Sequence, residues 1–432
     1  MGVGRLRHEG SARSRRARLA SILAIVATMG TSLVLSSTAR AATTGWAGET
    51  IVSTPATGDG WEPAIAADPS APFVYAAWMQ YQGNKISIAV RVSADGGATW
   101  GASKPLCTTC GTQGQYDISL ATTSTGGVYA TFMKQNHIEF SKSTDHGATW
   151  SAATQISGGT WADKPWLTTS ANGIDVYVTW TTRGDLYAVN SHNAGVSWSS
   201  PLRVTNESGT YYYSNGGTVL PNGTGVMVAS EYPESGNNTK VTGPIQIAVF
   251  RTTNGGASWT RTVADTLQTG ATFATSSVTT VASDANGTLV LLYSGSTAVG
   301  ANGHVYVRRS TDSGATWSAR VEMTTSAGGA DATSVAEAGK GNGVFRITWM
   351  DARTGGFNVW ERESTDGGLT WTADAKVSDA TTGAAYKTAS GFGLPYGDYD
   401  TVAINSAGKT VAIMGEGDTS QLHGDIWVNR QT

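Results

Sequence analysis

The sequence predicts an all-β protein, a single β-propeller of seven blades. Three observations point there. Of 432 residues only 14% are charged, while 54 are glycine, 15 tryptophan and 15 tyrosine, which suits short strands joined by tight turns rather than solvated helices. No stretch sustains an apolar period of 3.6, so helices should be few. One octapeptide recurs six times, its starts 50, 48, 61, 58 and 54 residues apart. Self-similarity at that interval, with short strands between, is the mark of a propeller or a solenoid.

The first segment, residues 1–41, reads as an export signal rather than as fold. Arg5, Arg7, Arg13, Arg15, Arg16 and Arg18 make a basic front, Leu19 to Leu35 is apolar, and Ala39-Arg40-Ala41 is a small-x-small cleavage site. Ser14 to Leu19 (SRRARL) resembles a twin-arginine signal. Residues 1–41 hold seven arginines and one glutamate, so residues 42–432 keep 22 basic and 31 acidic side chains, a net charge of −9. A mildly acidic surface without a basic patch excludes nucleic acid as a partner. The expectation is a secreted monomer, with no membrane partner after cleavage, whose residues 42–432 form one propeller domain.

Blade by blade, the same strand grammar returns. Trp61–Asp68 starts the first period, Phe73–Met79 follows, and Ile86–Ser93 leads into the octapeptide Ser93–Trp100 (SADGGATW). Later copies are STDHGATW at 143–150, SHNAGVSW at 191–198, TTNGGASW at 252–259, STDSGATW at 310–317 and STDGGLTW at 364–371. In each copy Asp-x-Gly or Asn-x-Gly turns the chain, because glycine accepts positive φ and the side chain caps its own turn. The tryptophan then packs between blades. After the sixth copy the chain repeats only the early part of a blade, through Gly397–Ile404, Thr410–Gly415 and Asp425–Asn429. Glu49–Thr54 (ETIVST) is a spare strand near the start, and pairing it there closes the ring and removes two open edges. A six-bladed ring with extra strands is the alternative count.

Cys107 and Cys110 are the only cysteines. In an exported chain a lone Cys-x-x-Cys reads as a small disulfide closing a loop. No histidine or cysteine spacing signals a metal, and no cofactor is expected beyond a structural calcium ion in the oxygen-rich loops.

The octapeptide resembles the Asp-box, or BNR repeat, of the sialidase superfamily, over residues 61–432. That resemblance implies a propeller with its boxes on the face opposite the active site. It also implies an exo-glycoside hydrolase, in its narrow form an exo-α-sialidase, with a glycan or polysaccharide as substrate. A sialidase uses three arginines on the substrate carboxylate, a tyrosine activated by a glutamate, and an aspartate acid/base. The family's Arg-Ile-Pro is replaced here by Trp61-Glu62-Pro63, so the resemblance is to the fold more than to the active site.

Candidate site residues fall where inner strands start and where second strands turn into third strands. Glu62, Asp117 and Glu231 are the candidate catalytic carboxylates, with Tyr213 as the candidate nucleophile. Trp61, Asp163, Lys164, Arg183, Asp351, Arg353, Asp398 and Tyr399 are the candidate substrate contacts, since aromatic faces and charged groups suit sugars. Two other readings stand beside hydrolysis. One is a glycan-binding propeller without catalysis. The other is a polysaccharide lyase using Tyr, His or Lys to take a proton beside a uronate.

Overall fold

A computed structural model describes residues 42–54, 58–159, 161–233, 243–269, 278–379, 400–416 and 424–432. Asp398 and Tyr399 lie outside the described residues. So do residues 1–41.

Seven four-stranded antiparallel sheets form the seven blades. The first consists of Gly60–Ala67, Val74–Gln82, Lys85–Ser93 and Lys104–Pro105, in that order from the inside outwards. The inner strands of blades 2 to 7 are Gln115–Thr122, Asp163–Thr169, Thr210–Val219, Thr279–Ser283, Ala332–Lys340 and Thr401–Ile404. Each inner strand packs beside the next, and the seventh returns to the first. Blade 7 takes its outer strand from the start of the chain: Thr50 pairs with Val428 and Ile51 with Trp427. The only helix among the described residues is the single turn Thr325–Ala327.

The octapeptides fold as their composition requires. Asp145 accepts hydrogen bonds from Ser143 Oγ at 2.6 Å, Thr149 Oγ1 at 2.5 Å and Thr149 N at 2.9 Å. The bonds from Ser143 and Thr149 hold its carboxyl down at about 2. Asn193 keeps the same turn without charge, accepting from Ser197 N at 2.9 Å. The tryptophans then seal the seams. Trp100 packs on the core shared by blades 7 and 1, Trp150 on that of blades 1 and 2, and Trp371 on that of blades 5 and 6.

First and third strands run the same way, so the octapeptides, which follow third strands, sit at the end of the ring opposite the inner-strand starts. The inner-strand starts and the second-to-third turns share the other end, called the mouth below.

Candidate active site

Backbone irregularity builds the mouth. In blades 1, 2, 3 and 6 the inner strand slips register between Trp61 and Ala64, Tyr116 and Ser119, Asp163 and Trp166, and Thr333 and Ala336. Pro63 and Pro165 sit in two of these bulges, where no ladder donor is needed. One residue in each bulge is left-handed: Glu62 (φ 50°), Asp117 (φ 50°), Lys164 (φ 56°) and Ser334 (φ 50°). Each such residue costs on the order of 1–3 kcal/mol, and conformations of that kind persist mainly where a site needs them. Bulges re-aim side chains, and these four are re-aimed at one level of the ring.

Three of them form an ion cluster. Lys164 Nζ stands 3.0 Å from Asp117 Oδ1 and 3.7 Å from Glu62 Oε1. Glu62 Oε2 also accepts from the Asp117 amide at 3.4 Å. Glu62 and Asp117 are only 5% and 4% exposed. Aromatic rings crowd the same place. The rings of Trp61 and Tyr81 are 5.7 Å apart, and Lys164 Nζ lies 6.0 Å from the Tyr213 ring centre. Burial, then the neighbouring Glu62 and Tyr116, push the Tyr81 hydroxyl up to about 12.

Below the mouth runs the axial channel, a cavity of about 220 Å³ with Ala64, Ile118, Asn215, Thr280, Glu337 and Asp400 in its wall. Burial raises the carboxyl of Asp400 to about 8, against one opposing hydrogen bond from the Gly415 amide. Burial likewise raises Glu337 well above the usual carboxylate range. Its carboxyl faces the Leu292 and Ala282 amides, and neither oxygen completes a hydrogen bond. In both acids burial favours the protonated form.

The other candidates fall elsewhere. Glu231 is bound by the Arg261 guanidinium and stands opposite Tyr212, whose hydroxyl goes to Glu207 at 2.9 Å. Tyr213 stands opposite Ser230, and strand alternation turns it to the other face of blade 4, so the structure does not join Glu231 to Tyr213. Asp351 is fully buried, accepts from Trp349 Nε1 at 2.8 Å, and takes Arg353 Nε at 2.8 Å. Arg353 also binds Asp374 and stacks 3.9 Å above Trp360, so this pair is used up inside blade 6. Arg183 is exposed at the second-to-third turn of blade 3, with φ 50°. Asp163 is half-buried beside Lys164, opposite Thr181. Cys107 and Cys110 are disulfide-bonded in the loop leading to Tyr116 and Asp117. Among the described residues no group of three or more His, Cys, Asp or Glu could hold a metal ion.

Sequence reasoning passed over Asn215, Ser334 and Glu337. Glu337 carried a signal: it is the second residue after its bulge, where the other bulged blades have Ile65, Leu120 and Leu167.

A seven-bladed propeller with Asp-boxes at one end and acidic side chains at the other is a propeller of the sialidase-like class. The BNR repeat-like domain model matches residues 11–233, just over half of the chain, and the chain belongs to that family. The solved structure of the phage phi92 endosialidase is similar at 12% identity and a TM-score of 0.51, over 90% of this chain and 69% of that one. The Hadza microbial sialidase Hz136 shares 15% identity, with a TM-score of 0.45 over 83% of this chain and 72% of its own. An α-L-arabinanase of Penicillium chrysogenum shares 12%, with a TM-score of 0.47 over 88% and 97%. Likeness at these identities speaks for the fold alone. No curated protein matches the chain.

Proposed function

We propose that the mature chain is an exported glycoside hydrolase that cleaves a neutral glycan at the mouth. One observation carries this reading. Glu62 and Asp117, 55 residues apart in sequence and on neighbouring blades, converge on Lys164 beside the rings of Trp61, Tyr81 and Tyr213. Glycosidic cleavage passes through a cationic, oxocarbenium-like state, which carboxylates stabilise and which one of them traps or supplies with activated water. Lys164 holds the two carboxylates in place. Trp61 and Tyr81 supply faces for a sugar ring.

The choice of a neutral sugar rests on the cations. Lys164 is already shared by two carboxylates, and Arg353 is consumed by Asp351 and Asp374. Arg183 alone is left to meet a substrate carboxylate among the candidate cations, against the three arginines of a sialidase. The test is turnover of aryl glycosides of neutral sugars, uronates and sialic acid by the purified mature protein. Neutral glycosides should be cleaved, and Glu62→Gln and Asp117→Asn should each lower kcat/KM by about 100-fold or more without unfolding the protein. Glycan binding with no turnover of any glycoside would replace this reading with a lectin. Sialoside cleavage alone would overturn the substrate class.

A further inference from the structure

Hydrolysis by ionised carboxylates needs a partner that arrives protonated. In the mouth cluster both carboxyl groups, Glu62 and Asp117, are engaged by Lys164. The channel wall directly below supplies an acid in a different condition. Asp400 lines the same cavity as Ala64 and Ile118, which follow Glu62 by two residues and Asp117 by one. Blade 7 is the neighbour of blade 1, and the Ile65 amide donates to Thr401 Oγ1 at 2.6 Å. The residue after Asp400 is thus stitched to the strand that carries Glu62. Asp400 is buried, and among the described residues it forms no ion pair. Glu337, the other acid in the channel wall, is turned towards blade 5, away from blade 1.

Resting on the hydrolase reading above, we propose that Asp400 is the catalytic proton donor. As the bond between the anomeric carbon and the glycosidic oxygen breaks, its electron pair stays on that oxygen, which takes the Asp400 proton and leaves as an alcohol. Water forms the new bond to the anomeric carbon and gives its proton to Glu62 or Asp117. That proton returns through solvent to Asp400, so one water is consumed and no other reactant is needed. The environment suits the role: burial keeps Asp400 protonated up to about 8, so the acid form is present at neutral pH.

The experiment compares Asp400→Asn with the wild type on two glycosides of one sugar. One has a poor alkyl leaving group and the other a dinitrophenyl group that needs no proton. Asp400→Asn should lose about 100-fold or more on the first and less than about fivefold on the second. The alkaline fall of kcat/KM near pH 8 should vanish in Asp400→Asn and persist in Glu337→Gln. Equal losses on both substrates, or an alkaline limb unchanged in Asp400→Asn, would overturn the assignment. Infrared difference spectra between the two proteins supply a readout free of turnover, one protonated-carboxyl band at pH 7 that Asp400→Asn lacks. Absence of that band also overturns it. If the wild type cleaves glycosides and Asp400→Asn does so equally, only the donor assignment falls. If the wild type cleaves nothing, the hydrolase reading falls and takes the donor with it.

Discussion

Lys164 Nζ stands 3.0 Å from Asp117 Oδ1 across the seam between blades 2 and 3, and both residues hold left-handed backbone conformations. The ammonium also reaches Glu62 on blade 1, so one lysine ties three blades together at the mouth. Replacing Lys164 by methionine keeps the stem and removes the charge. Two largely buried carboxylates then lose the ammonium they share. Lys164→Met should cost about 3 kcal/mol in urea unfolding and abolish most turnover. A stability unchanged within error would mean that the cluster is not held by this ion pair.

Glu337 presents the opposite case, a buried acid with no ion pair among the described residues. Ile65, Leu120 and Leu167 occupy the matching place in other blades, so Glu337→Leu should be accommodated. Removing an unsatisfied carboxyl should stabilise the fold by about 1–3 kcal/mol at pH 7. A destabilised Glu337→Leu protein would show that the carboxyl makes a bond that matters.

Stability should fall as pH rises from mildly acidic to mildly alkaline. Burial lifts Asp400 from 3.8 to about 8 and Glu361 from 4.5 to about 7. Well below pH 4 both groups are protonated in the folded and the unfolded chain alike. Above it the unfolded chain ionises first and is favoured, until the folded groups ionise near pH 7 to 8. Tm measured between pH 5 and pH 8 should therefore decrease, and Asp400→Asn should flatten the slope. A Tm that climbs over this range would contradict the assigned burial.

The Asp-boxes should matter to stability and not to chemistry. Asn193 and Asn254 already do the work of an aspartate, accepting from Ser197 N and Ser258 N. Asp145→Asn should thus be nearly silent in urea unfolding. Asp145→Ala should lower the urea midpoint with kcat unchanged, and a large drop in kcat would place the chemistry at the wrong end of the ring.

Much of this architecture was legible before any coordinates. Six boxes mark six third strands, and ETIVST near the start is a strand without a partner until Asp425–Arg430 appears at the end. Glu62, Asp117 and Lys164 could be picked out because each stands at an inner-strand start. Their meeting could not: Pro63 and Pro165 follow two of the left-handed residues, but Ile118 follows Asp117, and nothing local says that the three bulges converge. Glu231 and Tyr213 show the same limit. In the strand Thr210–Val219 three tyrosines stand in a row, and only the register with Gly225–Pro233 decides that Tyr212 faces Glu231. Asp351 and Arg353 stand two residues apart, so their pairing across the loop was legible, while the bond from Arg353 to Asp374, 21 residues on, was not.

The central claim is that the Glu62, Asp117 and Lys164 cluster is where glycan chemistry happens. The most direct measurement is a crystal structure of Asp117→Asn grown with an oligosaccharide that the wild type cleaves. The account predicts a sugar ring in the mouth, its scissile bond within hydrogen-bond reach of Glu62 and above Asp400. A glycan seated on the Asp-box end or on the outer strands, with the mouth empty, would contradict it.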